Sequence, residues 1–413
     1  QATWREGPLG LTGSPVPEIY KRPIEDLELD GRRLLIRVDF NVPIANGNVG
    51  DDTRIRASLP TIRYALDHGA TVVLASHLGR PKGRPRPELT LKPVATRLST
   101  LLDRPVKFAA DCIGETARNA VAAAEAGDVV LLENLRFHTG EEQNDEQFSA
   151  QLASLVDVYV NDAFGAAHRA HSSTVGVVPH VDDAAAGLLM AAELHHLGSL
   201  LAAPDRPFVA ILGGSKVSEK LAVVENLLSQ VDTLLIGGAM AYTFFRARGY
   251  PTGLSLVEPD LLEATRQIEC SASERGVRLV LPTDHLVADR LKAGARYDTI
   301  DVQDPAIEQR LGLDIGPCTS AGYANDIKAA QTVIWNGPMG VFEINEFASG
   351  TLTVARAVAA AEATTVIGGG DSIAAVSKAG VTDAISHIST GGGASLEFLG
   401  GRTLPGVAVL PDR

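Results

Sequence analysis

The chain has 413 residues, about 2.8 times a 150-residue domain, so two domains are expected. Its formal charge is 37 − 50 = −13, 45% of residues are apolar, 21% are charged, and 40 are glycine. Such a composition supports sizeable cores, excludes a disordered tail, a collagen-like repeat and a disulfide scaffold, and argues against a general nucleic-acid binder.

Residues 1–24, with a Gly/Pro-rich stretch over 7–17, carry neither a basic n-region nor an apolar h-region. They read as an extension outside the fold, with no signal peptide expected. From Glu25 onward, short β-branched or aliphatic runs alternate with helical stretches. The strand runs are 34–38, 71–75, 129–132 and 158–160 in the first half. In the second half they are 208–212, 233–236, 278–281, 332–335, 364–367 and 385–388. Alanine-rich segments over 115–126, 218–229 and 352–362 separate many of them. Apolar strands alternating with helices predict the α/β class: two doubly wound lobes, each a parallel sheet flanked by helices. The stretch 184–201 reads as one helix ended by Pro204 and Pro207, placing a hinge at 184–206 between a first domain, 25–183, and a second, 207–403. The apolar tail, 404–413, is expected to pack back on the first domain. The uncharged stretch 329–342 is broken by Gly337, Pro338 and Gly340 and is too short to span a bilayer.

Ligands of open α/β sheets bind outside the carboxyl ends of the strands. There the first half places Asp39-Phe40-Asn41, His77-Leu78-Gly79-Arg80, Glu133-Asn134-Leu135-Arg136 and Asn161-Asp162. The second half places Gly213-Gly214-Ser215-Lys216, Gly237-Gly238, Asn336-Gly337-Pro338, Gly368 to Asp371, and Thr390 to Gly393. One half offers Arg, His, Asp and Asn side chains; the other offers bare backbone. A single Gly pair after a strand is usually turn punctuation, but five such turns at equivalent strand ends point to phosphate held by backbone N–H groups. Neither a Walker A loop nor a Gly-x-Gly-x-x-Gly fingerprint is present, so a nucleotide would be held by another arrangement.

Between Ser76 and Arg97 stand six bases, Arg80, Lys82, Arg84, Arg86, Lys92 and Arg97, against one acid, Glu88. In an acidic chain this reversal reads either as a solvated loop or as anion capture. Arg54, Arg136 and Arg169 sit beside strand ends or in turns where bidentate contacts to phosphate or carboxylate can form. Eight of the ten histidines precede residue 200, yet none has metal-ligand spacing with a third ligand. Cys112, Cys270 and Cys318 lie far apart and form no CxxC, which fits a reducing compartment and no structural zinc.

Taken together, these turns resemble those of phosphoglycerate kinases of bacterial type. The resemblance rests on Arg37-Val38-Asp39-Phe40-Asn41-Val42-Pro43, Asp52-Thr53-Arg54-Ile55, Ser76-His77-Leu78-Gly79-Arg80-Pro81 and Leu132 to Phe137. It continues through Val160 to Phe164 with His168-Arg169, Gly213 to Val217, Trp335 to Pro338 with Gly340-Val341-Phe342-Glu343, Gly368 to Ser372, and Ser389 to Leu396. It implies a monomeric, cytoplasmic, two-lobed enzyme. Such an enzyme moves the acyl phosphate of 1,3-bisphosphoglycerate to ADP, reversibly and with Mg²⁺, and has no membrane or nucleic-acid partner. Carried over residue by residue, substrate roles fall on Asp39, Phe40, Asn41, Arg54, His77, Leu78, Gly79, Arg80, Arg136 and Arg169. Nucleotide roles fall on Lys216, Lys220, Gly312, Asn336, Glu343, Gly369, Gly370, Asp371 and Ser372, with Asp371 facing the metal. Catalytic roles fall on Arg54, Lys216, Lys220, Gly370 and Gly393. Phosphoryl transfer asks for positioning and charge neutralisation, so His77 reads as a ligand rather than a base. The segment 304–311 departs from the family's usual run before Gly312, which bears on the adenine side of the pocket. The rival readings are a nicotinamide-dependent dehydrogenase, which lacks its fingerprint, and an inactive sugar-phosphate-binding scaffold.

Overall fold

In the computed structural model, which describes residues 21–413, the apolar runs do become parallel strands buried on both faces. Thr71–Ala75, Val129–Leu132 and Phe208–Leu212 are buried along their whole length. Only helices on both sides of a sheet produce that pattern. The first sheet has six strands in the spatial order Val106–Ala109, Val129–Leu132, Thr71–Ala75, Arg33–Arg37, Val158–Asn161, Asp183–Ala186. The second runs Arg278–Val280, Thr233–Ile236, Phe208–Leu212, Thr332–Asn336, Thr364–Gly368, His387–Ile388. Every pairing in both sheets is parallel. Strand order reverses between Arg33–Arg37 and Val158–Asn161 in the first sheet, and between Phe208–Leu212 and Thr332–Asn336 in the second. Crevices open at such reversals.

The sequence reading misses the edge strand Val106–Ala109 and the short hairpin of Ile44–Ala45 with Asn48–Val49, and it differs at two larger elements. The stretch 184–201 is not one helix: Asp183–Ala186 pairs as a parallel edge strand with Val158–Asn161, and the helix runs Leu188–Ala202. Alanine favours helix, but the sheet edge supplies backbone partners that override propensity. The break is at Gly187, where a Cβ would collide with the Asp162 carboxylate. Asp162 Oδ1 there accepts the N–H groups of Leu189 (2.9 Å) and Met190 (3.2 Å), capping the helix. The second difference is an antiparallel sheet in the order Tyr297–Asp301, Asp284–Ala288, Leu311–Ile315. Its central strand is wholly buried and its outer strand, Tyr-Asp-Thr-Ile-Asp, is almost wholly exposed, so no alternation marks either in the sequence.

Residues 1–20, most of the expected extension, lie outside the described residues. Lys21 to Ile24 belong to the fold: Arg22 N–H donates to Pro411 O (2.9 Å), Ala186 N–H donates to Arg22 O (2.8 Å), and Ile24 is fully buried. The tail includes a short helix, Pro405–Ala408, and Asn161 Nδ2 donates to Gly406 O at 3.0 Å. No described helix is long and apolar enough to cross a membrane.

Candidate active site

The carboxyl ends of the first sheet open onto a cavity of about 200 Å³. Its wall holds four arginines, Arg54, Arg80, Arg136 and Arg169, against one carboxylate, Asp39. Asn41, His77, Gly79, Gly165 and His168 complete the near side. Gly391, Gly392 and Gly393 close it from the second lobe.

All the wall's arginines but Arg80 are held from behind by hydrogen bonds among the described residues. Arg54 Nη1 bonds Asp39 Oδ2 at 3.0 Å, and Asn41 Oδ1 accepts the Gly79 N–H at 2.9 Å. Arg136 Nη1 donates to Gly79 O (2.8 Å) and its Nε lies 3.3 Å from Glu142 Oε1. Arg169 Nε donates to His168 Nε2 at 3.0 Å. Arg37, fully buried behind the wall, places Nη2 3.1 Å from His77 Nδ1. A guanidinium only donates, so Nδ1 accepts and the neutral ring carries its proton on Nε2. Burial, then the charges of Arg37, Arg136 and Arg54, pull the His77 pKa well below the usual imidazole value. Arg37 Nε in turn donates to Ser173 Oγ (2.8 Å), which donates to the buried Glu141 Oε1 (2.6 Å). Burial also drives His171 down to about 4. Neutral histidines among fixed guanidiniums leave a cationic cavity that suits a small polyanion.

Phe40 and Leu78 do not reach it. Both are packed in the core, and their amides hold the turns: Phe40 N–H donates to Ser76 Oγ (2.9 Å), Leu78 N–H to Asn134 Oδ1 (3.1 Å).

A second pocket, about 290 Å³, opens at the ends of the second sheet. Gly214, Ser215, Gly238, Gly312, Glu343 and Asp371 are among its lining residues. Here the structure corrects the reading of the glycine turns. Gly213, Gly214, Gly237 and Gly238 give their N–H groups to Asn336, Pro338, Leu212 and Met339 carbonyls, at 2.9–3.0 Å. A Cβ at Gly213 or Gly238 would strike neighbouring backbone, so these glycines exist to stack three turns on one another. Among the amides in these turns without a backbone acceptor are those of Gly370, Asp371 and Ser372, at the start of helix Gly370–Ala379, and of Gly392 and Gly393. These two loops follow the adjacent strands Thr364–Gly368 and His387–Ile388; Asp371 lines the second pocket and Gly391–Gly393 the first.

Lys220 Nζ donates to Asn336 Oδ1, and burial pulls its pKa down to about 8. The Asn336 Nδ2 beside it has no protein partner among the described residues. Gly369, at φ +91°, turns the chain past Asn336. Ser372 Oγ accepts the Gly337 N–H at 2.6 Å, so its hydroxyl braces a turn instead of facing the pocket. Lys216 lies outside both cavities, half-exposed, 4.0 Å from Glu219. Asp371 makes no ion pair among the described residues. One exposed hard oxygen beside free amides fits Mg²⁺, which retains waters and bridges phosphates.

Glu193 was not marked by any motif. Fully buried on helix Leu188–Ala202, it accepts from Thr390 N (2.7 Å), Thr390 Oγ1 (2.9 Å) and His387 Nε2 (3.0 Å). The connecting helix therefore grips the loop that closes the cationic cavity.

A family model described as phosphoglycerate kinase matches residues 24–402. The chain belongs to the phosphoglycerate kinase family. Among its relatives, the phosphoglycerate kinase of Moorella thermoacetica is 56% identical over 393 residues, covering 95% of this chain and 100% of that one. That of Solibacter usitatus is 56% identical over 392 residues, covering 94% and 98%. The solved phosphoglycerate kinase of Coxiella burnetii superposes with a TM-score of 0.85 at 42% identity, covering 94% of this chain and 98% of that one. The Pyrococcus horikoshii enzyme gives 0.83 at 36% identity, with the same coverage. The enzyme transfers the acyl phosphate of 1,3-bisphosphoglycerate to ADP, giving ATP and 3-phosphoglycerate, with Mg²⁺. The dehydrogenase and inactive-scaffold readings fall away.

Proposed function

We propose that the cationic cavity holds 3-phosphoglycerate or 1,3-bisphosphoglycerate and that the second pocket holds ADP or ATP. The phosphoryl group passes between them, past the adjacent loops at Gly370 and Gly393. The observation that carries this is the wall of four arginines against one carboxylate, closed by Gly391–Gly393 of the opposite lobe. Arg54, Arg80, Arg136, Arg169, His77, Asp39 and Asn41 bind the acid. Phe40, Leu78 and Gly79 shape the turns that hold those side chains. Gly312, Glu343 and Ser215 line the nucleoside side, Lys220 and Asn336 face the phosphates, and Gly369 and Ser372 set the loop whose amides receive them.

The chemistry asks for little proton transfer. A β-phosphate oxygen of ADP attacks phosphorus, and the carboxylate of 3-phosphoglycerate leaves without an acid. The Gly370 and Gly393 amides and the ammonium groups of Lys216 and Lys220 receive charge from the equatorial oxygens as it spreads. Arg54 approaches from the other lobe. Asp371 would hold Mg²⁺, which would supply charge neutralisation on the nucleotide phosphates. Lys216, outside both cavities in this conformation, reaches the group in flight when the lobes close about the helix Leu188–Ala202. Residues 25–183 then serve as the phosphoglycerate domain, 207–403 as the nucleotide domain and 184–206 as the hinge, with 404–413 packed on the first domain. The protein acts as a monomer in the cytoplasm. Arg136→Ala tests the assignment: calorimetry should show 3-phosphoglycerate binding weakened at least tenfold while ATP binding changes less than twofold. Equal losses for both ligands would overturn it.

A further inference from the structure

The nucleotide pocket contains a polar chain that the transfer chemistry does not use. Gly312 N–H donates to Ser255 Oγ at 2.9 Å. Ser255 in turn hydrogen-bonds the Tyr242 hydroxyl. Tyr242 Oη lies 2.7 Å from His285 Nδ1. Ser255 Oγ accepts the amide N–H, and burial holds the imidazole neutral, its pKa pulled down to about 4. In the tautomer in which Nδ1 accepts the Tyr242 hydroxyl proton, the single ring proton sits on Nε2.

His285 Nε2 has no protein partner among the described residues, although His285 is only 1% exposed. A buried polar nitrogen left unpaired is costly, and each one in a native site calls for an explanation. The ring lines the pocket beside Tyr242, Gly312 and Asp314. It lies 15° from parallel with the Tyr242 ring at a centroid separation of 5.7 Å, which fixes its plane. The other buried polar side chain of this wall, Asp314, is already engaged by the N–H groups of Ile315 (2.9 Å) and Gly350 (2.7 Å). Around them stand Phe245, Pro282, Leu313, Met339 and Val341, none of which offers a side-chain hydrogen bond.

We propose that His285 reads the nucleobase: its Nε2–H donates to one ring nitrogen of the adenine, oriented by Tyr242 and Ser255. The inference rests on the second pocket being the nucleotide site. It assigns a specificity-determining role to a position in the antiparallel sheet, away from the phosphates.

The test is binding of ADP and of its 1-deaza, 3-deaza and 7-deaza analogues, each replacing one ring nitrogen by C–H. With the native protein, one analogue should bind about tenfold more weakly than ADP, the size of one hydrogen bond to a buried donor. In His285→Phe that analogue and ADP should bind within about twofold of each other, because the donor is gone. Nitrogen-15 NMR of the native protein should show the His285 proton on Nε2. The native protein alone is decisive if the variant does not fold: equal binding of ADP and all three analogues overturns the proposal, as does discrimination that survives in His285→Phe. ADP bound away from this pocket would overturn the site assignment, and the inference with it. ADP bound in the pocket without discrimination overturns the inference alone.

Discussion

Replacing Glu193 by Gln isolates the link between the connecting helix and the loop over the cationic cavity. The carboxylate is fully buried and accepts three hydrogen bonds, two from Thr390 and one from His387 Nε2. Bonds to a charged acceptor contribute about 1.5–3 kcal/mol each and neutral ones about 0.5–1.5. Gln keeps the shape and one acceptor oxygen but turns an N–H₂ toward one donor. The expected loss is therefore about 2–4 kcal/mol of stability, read from urea unfolding. The functional consequence follows from position. Thr390 leads into Gly391–Gly393, and a shift of about 1 Å in a positioning element lowers rate by about 100-fold. A coupled assay of ATP formation should show kcat reduced roughly 10- to 100-fold, with KM for both substrates within about threefold. A variant that loses the stability yet keeps kcat within twofold would show that Glu193 only supports the fold and that the loop needs no grip from the helix.

Other outcomes follow from the same geometry. Lys216→Ala should abolish turnover while ADP affinity stays within about tenfold, because its contact grows in the transition state; near-native kcat would contradict this. Ser173→Ala should break the Glu141–Ser173–Arg37 chain behind His77 and weaken 3-phosphoglycerate about tenfold, measured by calorimetry, with ADP unaffected. Lys220 sets a pH dependence. Its pKa near 8 in the free enzyme lies below the ordinary lysine value, and bound phosphate draws it back up. ADP binding at pH 8.5 should therefore take up protons, seen in buffers of differing ionisation enthalpy, and affinity should fall as pH rises from 8 to 10. Proton release, or none, would remove Lys220 from the phosphate site.

Much of this site is legible before folding because it sits at the ends of apolar runs. Asp39, Asn41, His77, Arg80 and Arg136 follow strands whose burial their neighbours dictate, so chain position already places them on one edge. Arg54 and Arg169 stood out only as guanidiniums in turns able to grip an anion, and the resemblance supplied their role. What local pattern cannot show is pairing across long separations: Glu193 with Thr390, Arg37 with Glu141 through Ser173, Tyr242 with His285. Glycine was ambiguous for a related reason. Gly213 and Gly238 permit close approach of backbone to something, and only the fold reveals that the something is another turn. Phe40 and Leu78 lie inside the motifs, but the continuously buried runs that precede them carry both into the core. The 183–186 strand was hidden by its alanines, and the antiparallel sheet by lacking any apolar alternation.

The central claim is that the phosphoryl group passes between a cationic cavity on one lobe and an amide-lined rim on the other. A crystal structure with 3-phosphoglycerate, ADP, Mg²⁺ and a planar fluoride mimic of the migrating group tests it most directly. The account predicts the mimic in line between the 3-phosphoglycerate carboxylate and the ADP β-phosphate, touching the Gly370 and Gly393 amides, with Lys216 drawn in. Both ligands in one lobe, or their reactive ends turned apart in a closed molecule, would contradict it.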